Sequence, residues 1–373
     1  MRTAFTEMVG VRHPLVGFSR SPGVVAAVSR AGGLGVFAAS PYRPEELDAQ
    51  LAWIEEQAGG RPYGVDLLVP PATEGGADLL ATLRAQIPER HVRFVQELLA
   101  RYGIEAPDPT RGNGASDDTV RGLSPEGVHE ILDVTFAHRV ALVANGLGTP
   151  PRSMLDGGRA HGVPVASLVG AGKHARAQLD LGVDVLVAQG TEAGGHTGTI
   201  ATMVLTPEVV DLAGGVPVLA AGGIADGRQM AAALALGASG AWCGSVWLNS
   251  HEDVTTPVVK QKLVEATSAD TVRSRSRTGK PARQLRSAWH DAWDGQEAPE
   301  PLPMQQQLLL AKDAWAEIDR AAETGSPGAR ELESFFVGQV VGAFGELRSA
   351  ERITEEIVAG CERRLAELAR LLG

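Results

Sequence analysis

Eight short apolar, β-branched runs separated by segments of helical periodicity constrain this chain more than any other feature. They fall at residues 14–17, 34–38, 64–69, 139–144, 163–168, 183–188, 216–221 and 240–244. Such alternation belongs to parallel strands joined by crossover helices, so the expected fold class is α/β. Eight strands is the number that closes a (β/α)8 TIM barrel. Helices are expected over 22–31, 44–57, 154–160, 172–181, 207–212 and 227–236. Runs such as Ala31-Gly32-Gly33-Leu34-Gly35 stop a helix and restart the chain as a strand, which glycine's access to left-handed backbone allows.

The regularity breaks after the third strand, where an insertion of about 72–138 is expected. Within it, 107–125 is rich in Gly, Asp, Ser, Thr and Pro with no apolar period, and reads as a mobile loop. The barrel is expected to occupy 1–250 and a helical elaboration 251–373. That elaboration opens with a basic stretch, 273–286, and a Pro/Glu-rich connector, 296–303. Amphipathic helices over 332–344 and 353–372 should then pack beside the barrel or against another subunit, as in a homodimer.

Acidic residues outnumber basic ones by 45 to 34, a formal net charge of -11, which argues against nucleic acid or an anionic membrane as partner. A small-molecule ligand is the better expectation. The two cysteines, Cys243 and Cys361, form no C-x-x-C pair, so neither a disulfide framework nor a cysteine zinc site is expected and a reducing cytoplasm fits. No secretory leader pattern and no apolar run of membrane-spanning length is read. Without an H-E-x-x-H or a His/Asp/Glu cluster, no metal is expected.

Two adjacent units carry glycine turns directly after apolar strands: Gly222-Gly223, within PVLAAGGIADG, and Gly244-Ser245. In barrels of this kind the loops after the last two strands commonly hold phosphate on unpaired backbone N–H groups. The most informative stretch is Gln189-Gly190-Thr191-Glu192-Ala193-Gly194-Gly195-His196-Thr197-Gly198, which follows the sixth strand. Catalytic groups sit at that end of barrel strands, glycines admit a cofactor close to the backbone, and one imidazole projects from the loop. His196 is therefore the candidate catalytic base.

The run AQGTEAGGHTG resembles the signature of nitronate monooxygenases (2-nitropropane dioxygenases) and of the related flavin-dependent enoyl-acyl-carrier-protein reductases. PLVGFSRSPGVVAAVSRAGGLG resembles their first barrel unit and VPVLAAGGIADG their flavin-phosphate turn, with similarity continuing through GAWCGSVWL and RTGKPAR. The resemblance implies non-covalent FMN across the top of the barrel, its phosphate on Gly222, Gly223, Gly244 and Ser245. It implies flavin contacts from Gln189, Gly194 and Gly195, and places Gly17, Phe18 and Ser19 beneath the ring with Asp66 at the end of strand three. It also implies His196 as the base. Family members usually carry asparagine at Asp66, and their first-strand turn differs from Gly-Phe-Ser.

Three functions are compatible with this pattern. The first is oxidation of alkyl nitronates or nitroalkanes by dioxygen through FMN, yielding a carbonyl compound and nitrite. The second is an NAD(P)H-dependent flavin reductase acting on an enoyl thioester or quinone, with Arg273, Arg275, Arg277, Lys280, Arg283 and Arg286 meeting a phosphorylated partner. The third is a non-redox barrel that binds a phosphorylated metabolite.

Overall fold

The computed structural model describes residues 1–39, 42–69, 82–107 and 125–372. Six strands come first: β1 (Leu15–Ser19), β2 (Leu34–Ala38), β3 (Tyr63–Leu67), β4 (Leu142–Asn145), β5 (Val165–Val169) and β6 (Val185–Gln189). A two-residue strand β7 (Gly195–His196) precedes β8 (Val218–Ala221) and β9 (Gly240–Cys243). All but β7 close a parallel barrel in the order β1-β2-β3-β4-β5-β6-β8-β9. Closure is made by β1 against β9, with Leu15, Val16 and Gly17 opposite Ala241, Trp242 and Cys243. The eight strands expected from the sequence are these eight.

Alternation decides what each strand residue meets. Val16, Val36, Ala144, Val187, Leu219 and Trp242 fill the interior, and Phe5 and Val9 of the helix Ala4–Val9 pack into the same cluster. Their neighbours Val65, Val143 and Leu186 face outward into the helical layer. The helix expected over 207–212 starts earlier, at Thr202, so Pro207 lies inside it. Pro207 cannot bond the Met203 carbonyl, a loss eased by solvent, since Met203 and Val204 are exposed.

The expected insertion resolves into two parts. Helix Pro125–Ala137 buries Val128, Ile131, Leu132 and Phe136 beside the barrel strands and serves as the ordinary crossover into β4. Helix Glu89–Arg101 instead buries Val95, Leu98 and Leu99 in a satellite core with Trp289, Leu309 and Ile318 of the C-terminal part. Residues 108–124, most of the expected mobile loop, lie outside the described residues.

The C-terminal part begins with helix Pro257–Glu265, then β10 (Thr271–Ser274) and β11 (Ala282–Leu285), an antiparallel pair that takes β7 as its third strand. The helix expected over 332–344 does not form. Helix Pro327–Leu332 stops there, and only a 3-10 turn follows at Gln339–Ala343. The intervening backbone bonds elsewhere: Leu285 N–H donates to Phe335 O at 3.0 Å, and Gln339 N–H to Glu192 O at 2.9 Å. These partners outcompete intrahelical bonds, although the apolar spacing is helical.

The helix expected over 353–372 spans Ala350–Ala369 and ends in a 3-10 turn, Arg370–Leu372. It buries Ile353, Ile357 and Cys361 in a core shared with Met230 and Ala231 of helix Gly227–Ala235, so its apolar face packs on its own barrel. The two helices meet at glycines: a Cβ on Gly227 would lie 2.2 Å from Cys361 N and 2.3 Å from Gly360 C. Replacing a helical glycine by alanine normally gains up to about 1 kcal/mol, but overpacking against backbone costs about 1–3 kcal/mol. Gly227→Ala is therefore expected to lower the urea midpoint of unfolding; a midpoint at or above that of the parent would contradict this contact.

Candidate active site

Four of the residues singled out in the sequence share the interior face at the C-terminal ends of the strands. Phe18 follows Val16, Gln189 follows Val185 and Val187, Gly244 follows Trp242, and Asp66 alternates with the outward-facing Val65 and Leu67. The Phe18 ring stacks on Trp242 with centroids 5.9 Å apart. A Cβ on Gly244 would sit 3.6 Å from Phe18 Cδ1, so these positions adjoin. Gly17 and Ser19 face the other way. A Cβ on Gly17 would come within 2.7 Å of Val28, and Ser19 Oγ accepts from Ser21 N–H at 3.0 Å. Only their backbone remains turned to the strand edge.

Asp66 is 4% exposed and its Oδ1 has no hydrogen-bond partner among the described residues. Burial pushes its carboxyl well above the ordinary range, because desolvation penalises the charged form. A buried carboxyl oxygen without a partner at a barrel mouth calls for a ligand group to meet it.

His196 stands in β7, whose Gly195 and His196 pair with Arg283 and Ala282 of β11. The loop is folded by its own carboxylate: Glu192 accepts from the Thr202 N–H at 2.9 Å, at the start of helix Thr202–Leu212. Gly194 must lack a side chain because a Cβ would lie 2.8 Å from Val337 C. The His196 ring bonds Thr278 Oγ1 through Nε2 at 2.8 Å and tilts against Phe336 at 6.5 Å. Burial first, and the Lys280 charge second, lower its pKa to about 4. The imidazole is neutral at physiological pH.

The glycine turns carry unused donors. The N–H groups of Gly222, Gly223 and Ile224 find no acceptor among the described residues, and both glycines have positive φ, +97° and +71°. The helix that follows contributes less than expected, since Asp226 already accepts from Arg228 and Gln229 N–H at 2.8 and 3.0 Å. Ser245 Oγ accepts from Gly338 N–H at 2.8 Å, which leaves its own proton free to donate. These turns fit an oxyanion such as a phosphate.

The basic stretch serves largely to hold this architecture. Arg273 donates to Thr197 O at 3.0 Å, Arg283 to Thr191 O at 2.9 Å, and Arg275 to Gly279 O at 3.1 Å. Arg277 donates to Ser334 O and lies over Trp315, 4.0 Å from the ring centre. Arg286 pairs with Asp291. Sequence reasoning missed Trp242, whose signal was its even spacing from Gly244, and missed the roles of Glu192, Thr278 and Gly338, which depend on contacts remote in sequence.

The profile of the nitronate monooxygenase family matches residues 2–360. A Mycobacterium tuberculosis protein provisionally described as a monooxygenase is 53% identical over 365 residues, covering 96% of each chain. A Staphylococcus saprophyticus protein provisionally described as a nitronate monooxygenase is 28% identical, covering 83% of this chain and 86% of its own. Among solved structures, nitroalkane oxidase from Streptomyces ansochromogenes superposes with a TM-score of 0.79 at 26% identity, covering 98% of this chain and 100% of the other.

Asp66 yields a stability test. Its raised folded pKa means that its contribution is fully present below the unfolded value of 3.8 and is lost as pH rises towards the folded value. Asp66→Asn should therefore raise the Tm of the ligand-free protein at pH 8 by more than at pH 5. A Tm difference that does not grow with pH would contradict the upward shift of Asp66.

Proposed function

The chain belongs to the nitronate monooxygenase family of flavin-type oxidoreductases, and we propose that it uses FMN to oxidise alkyl nitronates with dioxygen, giving a carbonyl compound and nitrite. The observation that carries this reading is a neutral imidazole on a glycine loop beside a mouth lined by Phe18, Asp66, Gln189 and Gly244. Unpaired N–H groups of Gly222 and Gly223 with the Ser245 hydroxyl would hold the phosphate. Gln189, Gly194, Gly195 and Phe18 would hold the ring, and the backbone of Gly17 and Ser19 supports it from β1. FMN when bound supplies the two-electron chemistry and its reoxidation by dioxygen.

Asp66 answers the objection raised by its replacing the family's asparagine. A neutral carboxyl can donate a hydrogen bond to an electron-rich ring edge, as an amide does, whereas a carboxylate would repel it.

The role of His196 follows from its low pKa. A base whose conjugate acid ionises at about 4 is poorly matched to pulling a proton from a neutral nitroalkane, a far weaker acid. It is well suited to receive an already ionised nitronate, because it brings no negative charge and can accept a proton when an anion arrives. Turnover of a pre-formed nitronate is expected to exceed that of its neutral parent and to show no histidine ionisation above about pH 5. His196→Asn should retain FMN but lose the residual activity on the neutral nitroalkane. Undiminished turnover by this variant would remove the assigned base.

The reductase reading keeps the shared loop but loses the binding role of the basic stretch, because Arg273, Arg275, Arg277 and Arg283 are engaged within the fold. Anaerobic NADPH should leave the visible flavin spectrum unchanged, while a nitronate bleaches it. Rapid bleaching by NADPH would replace the present reading with a reductase. A purified protein that is colourless and refuses FMN would favour a non-redox barrel.

A further inference from the structure

The hydroxyl of Thr278 makes two contacts that together decide where the proton on His196 sits. Thr278 Oγ1 lies 2.8 Å from His196 Nε2 and 3.1 Å from the carbonyl oxygen of Lys280. A carbonyl oxygen only accepts, so the second contact takes the single hydroxyl proton. Oγ1 is then left with lone pairs alone for the imidazole, and Nε2 must carry the hydrogen that joins them. In a neutral ring this makes Nδ1 the unprotonated nitrogen. No hydrogen bond to Nδ1 is made among the described residues, and Nδ1 is not one of the fully buried unpaired atoms, so its lone pair is available.

Thr278 is itself held in place. It is 4% exposed and lies in the turn between β10 and β11, the same hairpin whose Ala282 pairs with His196 through the backbone. The turn closes by a Gly279 N–H bond to Arg275 O at 2.8 Å. Gly279 has φ +76°, and a Cβ there would lie 2.5 Å from Leu302 O, so the turn has one seat. Gln307 Nε2 donates to Ser276 O from the long helix Met304–Glu323. The ring of His196 is thus read by a hydroxyl whose position is set by the C-terminal part, 82 residues away in sequence.

We propose that Thr278 is a positioning residue that holds His196 in its Nε2–H tautomer, so that Nδ1 is the nitrogen that meets the substrate and, in the residual turnover of a neutral nitroalkane, takes up its proton. This deepens the reading of His196 as the base and rests on it. The step is a simple transfer: a substrate proton moves to the Nδ1 lone pair, giving an imidazolium with both nitrogens protonated, and Nε2–H stays bonded to Thr278 throughout. Loss of the hydroxyl leaves the ring free to adopt either tautomer and either ring orientation, and only part of the population then offers the correct lone pair.

The test is long-range 1H–15N correlation of histidine-labelled, FMN-loaded protein at pH 7, with His196 assigned by its disappearance in His196→Asn. The expected result is a protonated-type Nε2 and an unprotonated-type Nδ1. Thr278→Val, which keeps shape but loses the acceptor, should give averaged or mixed signals, and Thr278→Ser should restore the parent pattern. In turnover of a neutral nitroalkane, Thr278→Val should lower kcat about tenfold or more with little change in KM, and Thr278→Ser should recover most of it. A protonated Nδ1 in the parent protein would overturn the proposal, and this needs no variant to fold. An unchanged tautomer in Thr278→Val would overturn it as well. If the tautomer is as expected but His196→Asn turns over undiminished, the failure belongs to the base assignment and removes Nδ1 as the reacting atom.

Discussion

Closure of the barrel by β1 against β9 is the constraint on which the site depends. Pairing Val16 with Trp242 and Gly17 with Cys243 completes the ring, and once it is complete each strand has only two directions for its side chains. Residues far apart in sequence, Phe18, Asp66 and Gln189, are then compelled onto one interior layer at the same end. The closed barrel strips water from Asp66, and the missing water is what pushes its carboxyl towards the neutral form.

Above that layer the loop bearing His196 has little structure of its own. It is assembled by three segments: Glu192 fastened to the start of helix Thr202–Leu212, β11 paired with β7, and the extended segment ending at Gly338 that crosses Gly194 and Ser245. The last two come from the C-terminal part, which is therefore an integral wall of the site. Glycine at 194 allows that crossing, since any Cβ would strike the Val337 backbone. The arginines belong to the same construction. Each guanidinium that caps a loop carbonyl substitutes for water that a solvated loop would use, and so lets the loop's polar backbone pack against the C-terminal part.

The barrel was legible because β-branched runs bounded by glycine leave few alternatives, and the loop carrying His196 because a lone imidazole among glycines has no packing purpose. Other features were hidden for physical reasons. Residues 332–344 have apolar positions at helical spacing, yet their hydrogen-bond partners lie in β11 and the glycine loop, and spacing does not report partners. Pro207 looked like the first residue of a helix that in fact begins a turn and a half earlier, where solvent tolerates the lost bond. Arg273 and Arg283 looked like a binding surface because charge is visible in a sequence and its acceptor is not. Thr278 stood within the RTGKPAR similarity, but nothing there singled it out, since a threonine in a turn acquires this role only through the histidine it touches.

The electrostatics of the mouth run against the charge of the whole chain. At -11 overall the protein would repel an anion, but the acidic groups nearest the proposed cofactor are offset locally. Burial of Asp66 favours its neutral form, and Glu192 faces the N–H and hydroxyl of Thr202. Unpaired N–H groups at Gly222 and Gly223 and the cation of Lys280 supply a local positive bias. Beside buried groups such as Asp66 such short-range terms outweigh distant surface charge, which solvent and salt screen within about 10 Å. A nitronate entering this pocket would bring the negative charge that it lacks. The anion's own attraction for an imidazolium would then oppose the repulsion by which Lys280 lowers the pKa of His196, raising the affinity of the imidazole for a proton as the substrate arrives.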